Sequence, residues 1–587
     1  SEAGGASSAS GAAVEAARAV PRSRGRAVRR AGLVLALAAA VLAGWALRGR
    51  PPAPPTFHLL THQRGTITGA RFVPNSPEVI YSAEWSSGPS QWYALRLDQP
   101  GTRTLAGSEG ILLSVSASGE GLGMARTYLS HGAQVGSLYS LPLAGGAPRE
   151  SVSSSVWGAS QGAQGGEVAA VIGDYGGENR LEWPLGHVVT KGLDTLRSPL
   201  IHGDFVAYFR EVGDLLEGGA LELVDRAGKV RRLARVPGFT GMAWGPGGKE
   251  IWVSSYRDGE SRFLAVDLSG RARTLLHHAG RLEIQDVDVA GNVLVGFHSY
   301  QRQTFARAAG EARDRDFGWL DAQATLSLSE DGRFAAIGPL GEWSHLDGTI
   351  YIRPLTGEPA QALGLGQCQS TISRDGKWVG TCVNEPTFSV LVVPTGPGAS
   401  RRVPVSDFIN TDLRVDILPG GKTALLWGRR KGEAVGFHTL DLETGAVKNT
   451  SAPGASPYAF QSLFSPDSRW IAFVQLSGPA KGENPITVSH PDGTEAHVAM
   501  TLDNREAIAG WGPDSASLYV WDRNKVPADV DRIDLATKRR MRVLTLQPPD
   551  PVGISGIPNL LITSDGRAYA YNVVRKLSEL YLVEGLR

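Results

Sequence analysis

The feature that most limits what this chain can fold into is a unit of strand, tight turn, strand and two further strands, repeated along almost its whole length. The unit is clearest at 239–276, FTGMAWGPGGKEIWVSSYRDGESRFLAVDLSGRARTLL. GMAW, IWVSS, FLAVDL and ARTLL are apolar, β-branched or aromatic runs, and Gly, Pro, Asp and Ser punctuate them as turns. Related cores begin near residues 67, 110, 153, 198, 239, 281, 324, 369, 411, 458, 506 and 554. They are spaced roughly 41 to 48 residues apart, which is the period of a propeller blade. The expected fold class is therefore all-β: two β-propellers, in tandem or nested, with about twelve four-stranded blades in total. The 73 glycines and 35 prolines agree with a turn-rich β chain, and no long 3.6-residue apolar period competes after the first fifty residues.

The strand-pair turn carries its own expectation. Glu330-Asp-Gly-Arg333, Ser564-Asp-Gly-Arg567 and Ser465-Pro-Asp-Ser-Arg469 suit a type I turn followed by a left-handed residue. On this reading the aspartates make turns and hold no metal. The ends of the repeat carry another. The last unit is one strand short of four, and FHLLT at 57–61 precedes the first core as an orphan strand. An unpaired sheet edge is a liability, so Phe57–Thr61 is expected to pair beside Leu580–Val583 and complete the last blade. The alternative is sequential propellers, with the final blade left three-stranded.

The N-terminal region is of another kind. Residues 1–30 are rich in Ala, Gly and Ser and end in a basic run of Arg22, Arg24, Arg26, Arg29 and Arg30. Residues 31–47 carry no charge and read as a transmembrane helix, about 26 Å long against a hydrocarbon core of about 30 Å. Trp45 suits the interface, and Arg48 and Arg50 can snorkel. The excess of arginine before the span places the N-terminus in the cytoplasm and the rest outside, at the inner membrane. A cleaved signal peptide ending near Val41-Leu42-Ala43 is the competing reading. The expected domains are a disordered basic juxtamembrane linker at 1–30, the span at 31–47, a Pro-rich linker at 48–56, a first propeller at 57–320 and a second at 321–587.

Two end blocks carry a resemblance. FHLLTHQRGTITGARFVPNSPEVIYSAEW at 57–85 and LLITSDGRAYAYNVVRKLSELYLVEGLR at 560–587 resemble the start and end of the C-terminal region of certain bacterial single-span transmembrane serine/threonine protein kinases. The repeated turn resembles that of TolB-like, WD-like propellers. The resemblance implies a cytoplasmic kinase domain, a linker, one span and an extracytoplasmic propeller region that acts as sensor or protein-interaction module. The kinase motifs are not in these residues, apart from an isolated Asp316-Phe317-Gly318 at the place of an outer blade strand. A TolB-like envelope scaffold is the alternative without a kinase partner.

Other chemistry is sparse. Gly158-Ala-Ser160-Gln-Gly162 matches a nucleophile elbow, which makes a propeller hydrolase using Ser160 the rival enzyme reading. A turn between two strands, with no helix to follow, is expected there instead. His277-His278 falls in an expected inter-blade connection, without a metal-ligand pattern. Cys368 and Cys382 are the two cysteines. With Arg374-Asp375-Gly376 as a three-residue loop they face each other on a non-hydrogen-bonded rung, close enough for a disulfide. A pair of buried thiols is the other outcome. No catalytic, cofactor-binding or metal-binding residue is assigned, no cofactor is expected, and the ligand-binding residues are unknown. The partners expected are the membrane, through one span, and an extracytoplasmic ligand or protein. The formal net charge of +1 gives no reason to expect nucleic acid.

Overall fold

Alternating apolar residues bounded by Asp-Gly turns fold, as expected, into antiparallel meanders. The computed structural model describes residues 54–586 apart from 86–88, 131–132, 174–177, 212–217, 320–322, 340–347, 367, 385, 432–435, 451–454, 457–463, 476–482 and 504. The expected span at 31–47, and the linkers around it up to residue 53, lie outside the described residues. Among the described residues no helix is long and apolar enough to cross a membrane. Thr56 to the C-terminus forms one unit by its own contacts.

Four-stranded sheets in simple up-and-down order cover 66–109, 195–236, 239–279, 323–366, 455–503 and 506–546. Two larger sheets merge neighbouring meanders. In the seven-stranded sheet at 111–192 the strand Arg149–Gln161 pairs through Glu150↔Tyr139 on one side and Ser160↔Ala169 on the other. Ser155, at the crossing, takes a left-handed φ of 63°. In the eight-stranded sheet at 369–449 two meanders touch through short parallel pairs, Gln369↔Arg414 and Ser370↔Val415.

The remaining sheet joins both ends of the chain. Its strands run in the order Thr56–Leu59, Tyr569–Glu584, Val293–Arg307 and Arg281–Val287, with Arg315–Asp316 added beside Val293–Arg307 and Asn559–Ile562 beside Tyr569–Glu584. Phe57 is opposite Val583 and Leu59 opposite Tyr581, and Leu60 N donates to Leu580 O at 2.8 Å. The expected pairing of the two ends is therefore observed. What differs is the sheet it completes, which contains Arg281–Val287. By sequence alone FARA at 305–308 reads as a separate outer strand, and AYAYNV and ELYLVEG as two strands. Instead Val293–Arg307 and Tyr569–Glu584 are each continuous, paired from Val293↔Val583 to Arg307↔Tyr569 without a register shift.

Apolar clusters fill the spaces between successive sheets. Ile80 and Trp92 pack with Leu112 and Tyr139, Met124 and Leu138 with Ala170, and Trp183 with Val206 and Tyr208. Phe209 packs with Met242 and Ile251, Trp252 with Leu282 and Val583, and Leu294 and Leu580 with Ile67 and Tyr81. That last contact returns to the sheet at 66–109. A second series runs from Ala306 and Ala570 to Ile337, then through Ile350 with Val379, Val390 with Val415 and Phe437 with Phe473. It continues with Val488 and Leu518 and ends where Trp521 meets Tyr571. Four-stranded meanders packed face to face in this way are the propeller arrangement.

The turns match the sequence expectation in detail. Gly332, Gly376 and Gly566 have φ of 66°, 70° and 72°, and Ser468 occupies the same place at 59°. Ser329 Oγ donates to Asp331 Oδ1 at 2.7 Å, and Arg333 N donates to the same oxygen at 3.0 Å. Ser373, Ser465 and Thr563 hold Asp375, Asp467 and Asp565 alike. These aspartates are occupied in turn geometry.

Candidate functional site

A concavity lies where inner strands and turns of the second series of sheets converge. Its enclosed volume is small, about 30 Å³, and its walls include Ser327, Glu330, Arg374, Phe464, Trp511 and Ser564. Glu330, Arg374 and Ser564 occupy the variable position of the Ser/Thr-x-Asp-Gly turn, one residue before the aspartate. The turn geometry that the aspartate fixes is what aims this side chain across the opening.

The three side chains meet. Arg374 Nη2 lies 3.2 Å from Glu330 Oε1, with side chains 18% and 26% exposed. Ser564 N donates to Glu330 Oε1 at 3.1 Å and Ser564 Oγ donates to the same atom. Arg374 Nη1 donates to the Ser465 carbonyl at 3.0 Å. Burial lowers the pKa of the Arg374 guanidinium, against the opposing pull of Glu330 and Asp467. A largely desolvated guanidinium beside a carboxylate and a hydroxyl is suited to recognising an anionic or hydrogen-bonding group. In the sequence these residues sit inside the Asp-Gly turn motifs, at the one position that the turn chemistry leaves free. The signal available was charge of opposite sign, Glu330 and Arg374, at one motif position.

The other candidate residues lie apart. Ser160 is buried, and its Oγ accepts from Ile201 N at 3.0 Å. It lies within the paired strand Arg149–Gln161, whose neighbour across the following turn is the strand Val168–Ile172. Asp316 pairs with Phe305 at the sheet's outer edge, as expected. Phe317 is buried under Arg353, whose guanidinium lies 4.5 Å from the ring centre. His277 and His278 are not in a connection but on the outer strand Ala272–Ala279. The reason is that this strand continues past Leu276, with His278 opposite Ser261 and His277 Nε2 2.7 Å from Glu260.

The cysteine register also differs from expectation. Ser373 N bonds Trp378 O at 2.7 Å, so the loop has one residue more than the three assumed. Thr371 faces Gly380 and Ile372 faces Val379, and Ser370 Oγ donates to Thr381 Oγ1 at 2.8 Å. Continued by one rung, this register sets Cys382 against Gln369 rather than Cys368. Both cysteines are buried thiols in this structure.

No family model matches the chain, and no curated protein matches it. Among solved structures, a protein described as TolB from Agrobacterium tumefaciens is similar at 16% identity, over 47% of this chain and 99% of that one, with a TM-score of 0.33. TolB from Acinetobacter baumannii is similar at 15% identity over 57% of this chain and 77% of that one, with a TM-score of 0.22. The tricorn protease is similar at 13% identity and a TM-score of 0.29; the match takes in 87% of this chain and 56% of that one. At these TM-scores the likenesses say nothing about what the chain does.

Proposed function

We propose that this chain is a membrane-anchored, extracytoplasmic binding module made of two nested six-bladed propellers, and that it is the sensing half of a receptor-type bacterial serine/threonine kinase. The blade count is supported by the apolar clusters, which link six sheet segments back to the sheet at 66–109 and a further six back to the shared sheet. The outer part of that shared sheet closes the first ring and the inner part closes the second. The first ring is then built from 56–298 and 578–586, and the second is inserted within it. The anchor and the kinase rest on the sequence alone.

The observation that carries the binding reading is the Glu330–Arg374–Ser564 cluster at the mouth of the second ring. Turns from separate blades bring it together, and it presents a guanidinium, a carboxylate and a hydroxyl at one place on the surface. The test is a photo-crosslinking residue at Ser564 in the anchored protein. An adduct with an extracytoplasmic molecule is expected, and it should be lost in Arg374→Ala. No adduct above that of a control residue at Val498, on an outer strand, would overturn the reading. For the location, alkaline phosphatase fused after Arg587 should be active. Activity of a cytoplasm-only reporter there would refute it. A kinase domain in the reading frame ahead of Ser1 is the corresponding expectation for the partner.

A further inference from the structure

The strands Val293–Arg307 and Tyr569–Glu584 leave a stretch between the two sets of cores where the chain is a bare two-stranded ribbon. Phe297, Leu580 and Tyr581 are the nearest members of the first set, and Phe305 and Val573 of the second. Between them the rungs are Ser299↔Leu577, Tyr300↔Lys576, Gln301↔Arg575 and Arg302↔Val574. A two-stranded ribbon alone is marginally stable and twists readily. Something else must fix the angle between what lies on either side.

Two loops dock on this neck from opposite rings. From the second, Gly553 O accepts from Lys576 N at 2.8 Å. From the first, Gly65 O accepts from Ser578 N at 2.8 Å, and Thr66 Oγ1 donates to Lys576 O at 2.6 Å. The loops are joined by one carboxylate. Asp550 Oδ2 lies 2.6 Å from Arg64 Nη1 and 3.1 Å from Arg575 Nη1. Arg575 is buried in the neck. Its Nη2 donates to Asp550 O at 2.7 Å and to Gln303 Oε1 at 3.1 Å. Arg64, by contrast, is 57% exposed and sits just after the strand that leads in from residue 55.

We propose that Asp550 is a clamp that fixes the angle between the two rings, by holding Arg64 of the first ring and Arg575 of the neck at once. The proposal rests on the nested-ring reading. It makes the neck a hinge with one removable lock. Opening the lock would let the distal ring swing relative to the ring that continues into residue 55.

The test is a spin-label distance measurement on the full described chain, with Cys368 and Cys382 replaced by alanine. One label pair spans the rings, at the exposed positions Leu193 and Val498; a control pair lies within the first ring, at Leu193 and Val289. Wild type should give one narrow distance distribution for each pair. Arg64→Met leaves the Asp550 pair with the buried Arg575 intact, and it should at least double the width of the spanning distribution while the control pair stays unchanged. Asp550→Asn should do so more strongly. An unchanged spanning distribution in both variants overturns the clamp. A spanning distribution already broad in wild type overturns the clamp and the fixed arrangement of nested rings together. Broadening of the control pair as well would mean loss of the first ring rather than hinge motion, and would also count against the clamp.

Discussion

Leu580 N donates to Thr61 Oγ1 at 3.0 Å across a sequence separation of 519 residues. That bond caps the strand pair that joins the two ends of the chain. Thr61 and Leu580 are both buried, so Thr61→Ala leaves a backbone N–H without its acceptor. A loss of about 1–3 kcal/mol is expected in urea denaturation. Deleting residues 56–61 should do far more, because it opens a sheet edge that Phe57 and Leu60 cover. That variant should unfold with a lower midpoint and aggregate. An unchanged midpoint would show that the end pairing contributes nothing.

Ser160 is expected to be a structural hydroxyl. Ser160→Ala removes the acceptor for Ile201 N and should cost about 1–3 kcal/mol. A fluorophosphonate probe should fail to label the folded wild-type chain. Labelling that disappears in Ser160→Ala would reverse this assignment and favour a hydrolase.

In the turn cluster of the second series of sheets, Arg374→Ala and Glu330→Ala should be coupled. Each side chain is mostly shielded from water, so a double-mutant cycle should return an interaction of about 1–3 kcal/mol. Additivity within error would mean that the pair is held by its backbone partners alone.

Acid should destabilise the protein in two windows because of one buried cluster beside the neck. His298 Nδ1 bonds Ser578 Oγ at 2.8 Å, and its Nε2 lies 3.1 Å from Glu283 Oε2, at ion-pair distance but off the line of a hydrogen bond. Arg281, Tyr300 and Lys576 complete the surroundings. Burial first, then Lys576 and Arg281, hold the imidazole below its ordinary value of 6.5, outweighing Glu283. The unfolded chain then takes up a proton the folded chain refuses, so stability falls as pH drops below about 6.5. For Glu283 burial pushes upward, but His298, Lys576 and Arg281 win and hold it at about 2, against 4.5 unperturbed. Its contribution is complete above 4.5 and is lost as pH falls from there towards about 2. Urea midpoints at pH 7.5, 5.5 and 3.5 should decline in both steps, and His298→Gln should flatten the first and shrink the second, which His298 helps to set.

The thiols give a simple check on register. Neither should react with a bulky aromatic disulfide reagent in the native state, and both should react after denaturation without reductant. Absence of both thiols under those conditions would restore the pairing that facing cysteines would have allowed.

Much of the architecture was legible in the sequence because each turn announces itself chemically. Asp331, Asp375 and Asp565 accept from a serine or threonine two residues earlier and precede a left-handed glycine, so turn and register can be read locally. The orphan status of 57–61 was legible for a related reason: strands can be counted, and an edge demands a partner. The neck was not. Lys576, Ser578 and Glu579, like Ser299 and Gln301, are polar and look like connection, yet they continue two long strands because braces from elsewhere supply their surroundings. The cysteine register failed by one residue, since Lys377 belongs to the turn and not to the strand. The mouth cluster was hidden because Glu330, Arg374 and Ser564 lie in separate repeats, and nothing local says that their turns converge.

The uninterrupted pairing from Val293↔Val583 to Arg307↔Tyr569 has a consequence for how such a chain could be taken apart. On the proposed nested arrangement, chain leaves the first ring on one strand and re-enters on its antiparallel neighbour, at facing residues. The second ring is then attached as a loop insertion is attached to a hairpin. Replacing everything between Gln301 and Arg575 with a two-residue Asn-Gly turn would close that hairpin without moving any strand of the first ring. A chain built on this plan can gain or shed an entire ring through a single site, as other proteins lengthen or trim a surface loop.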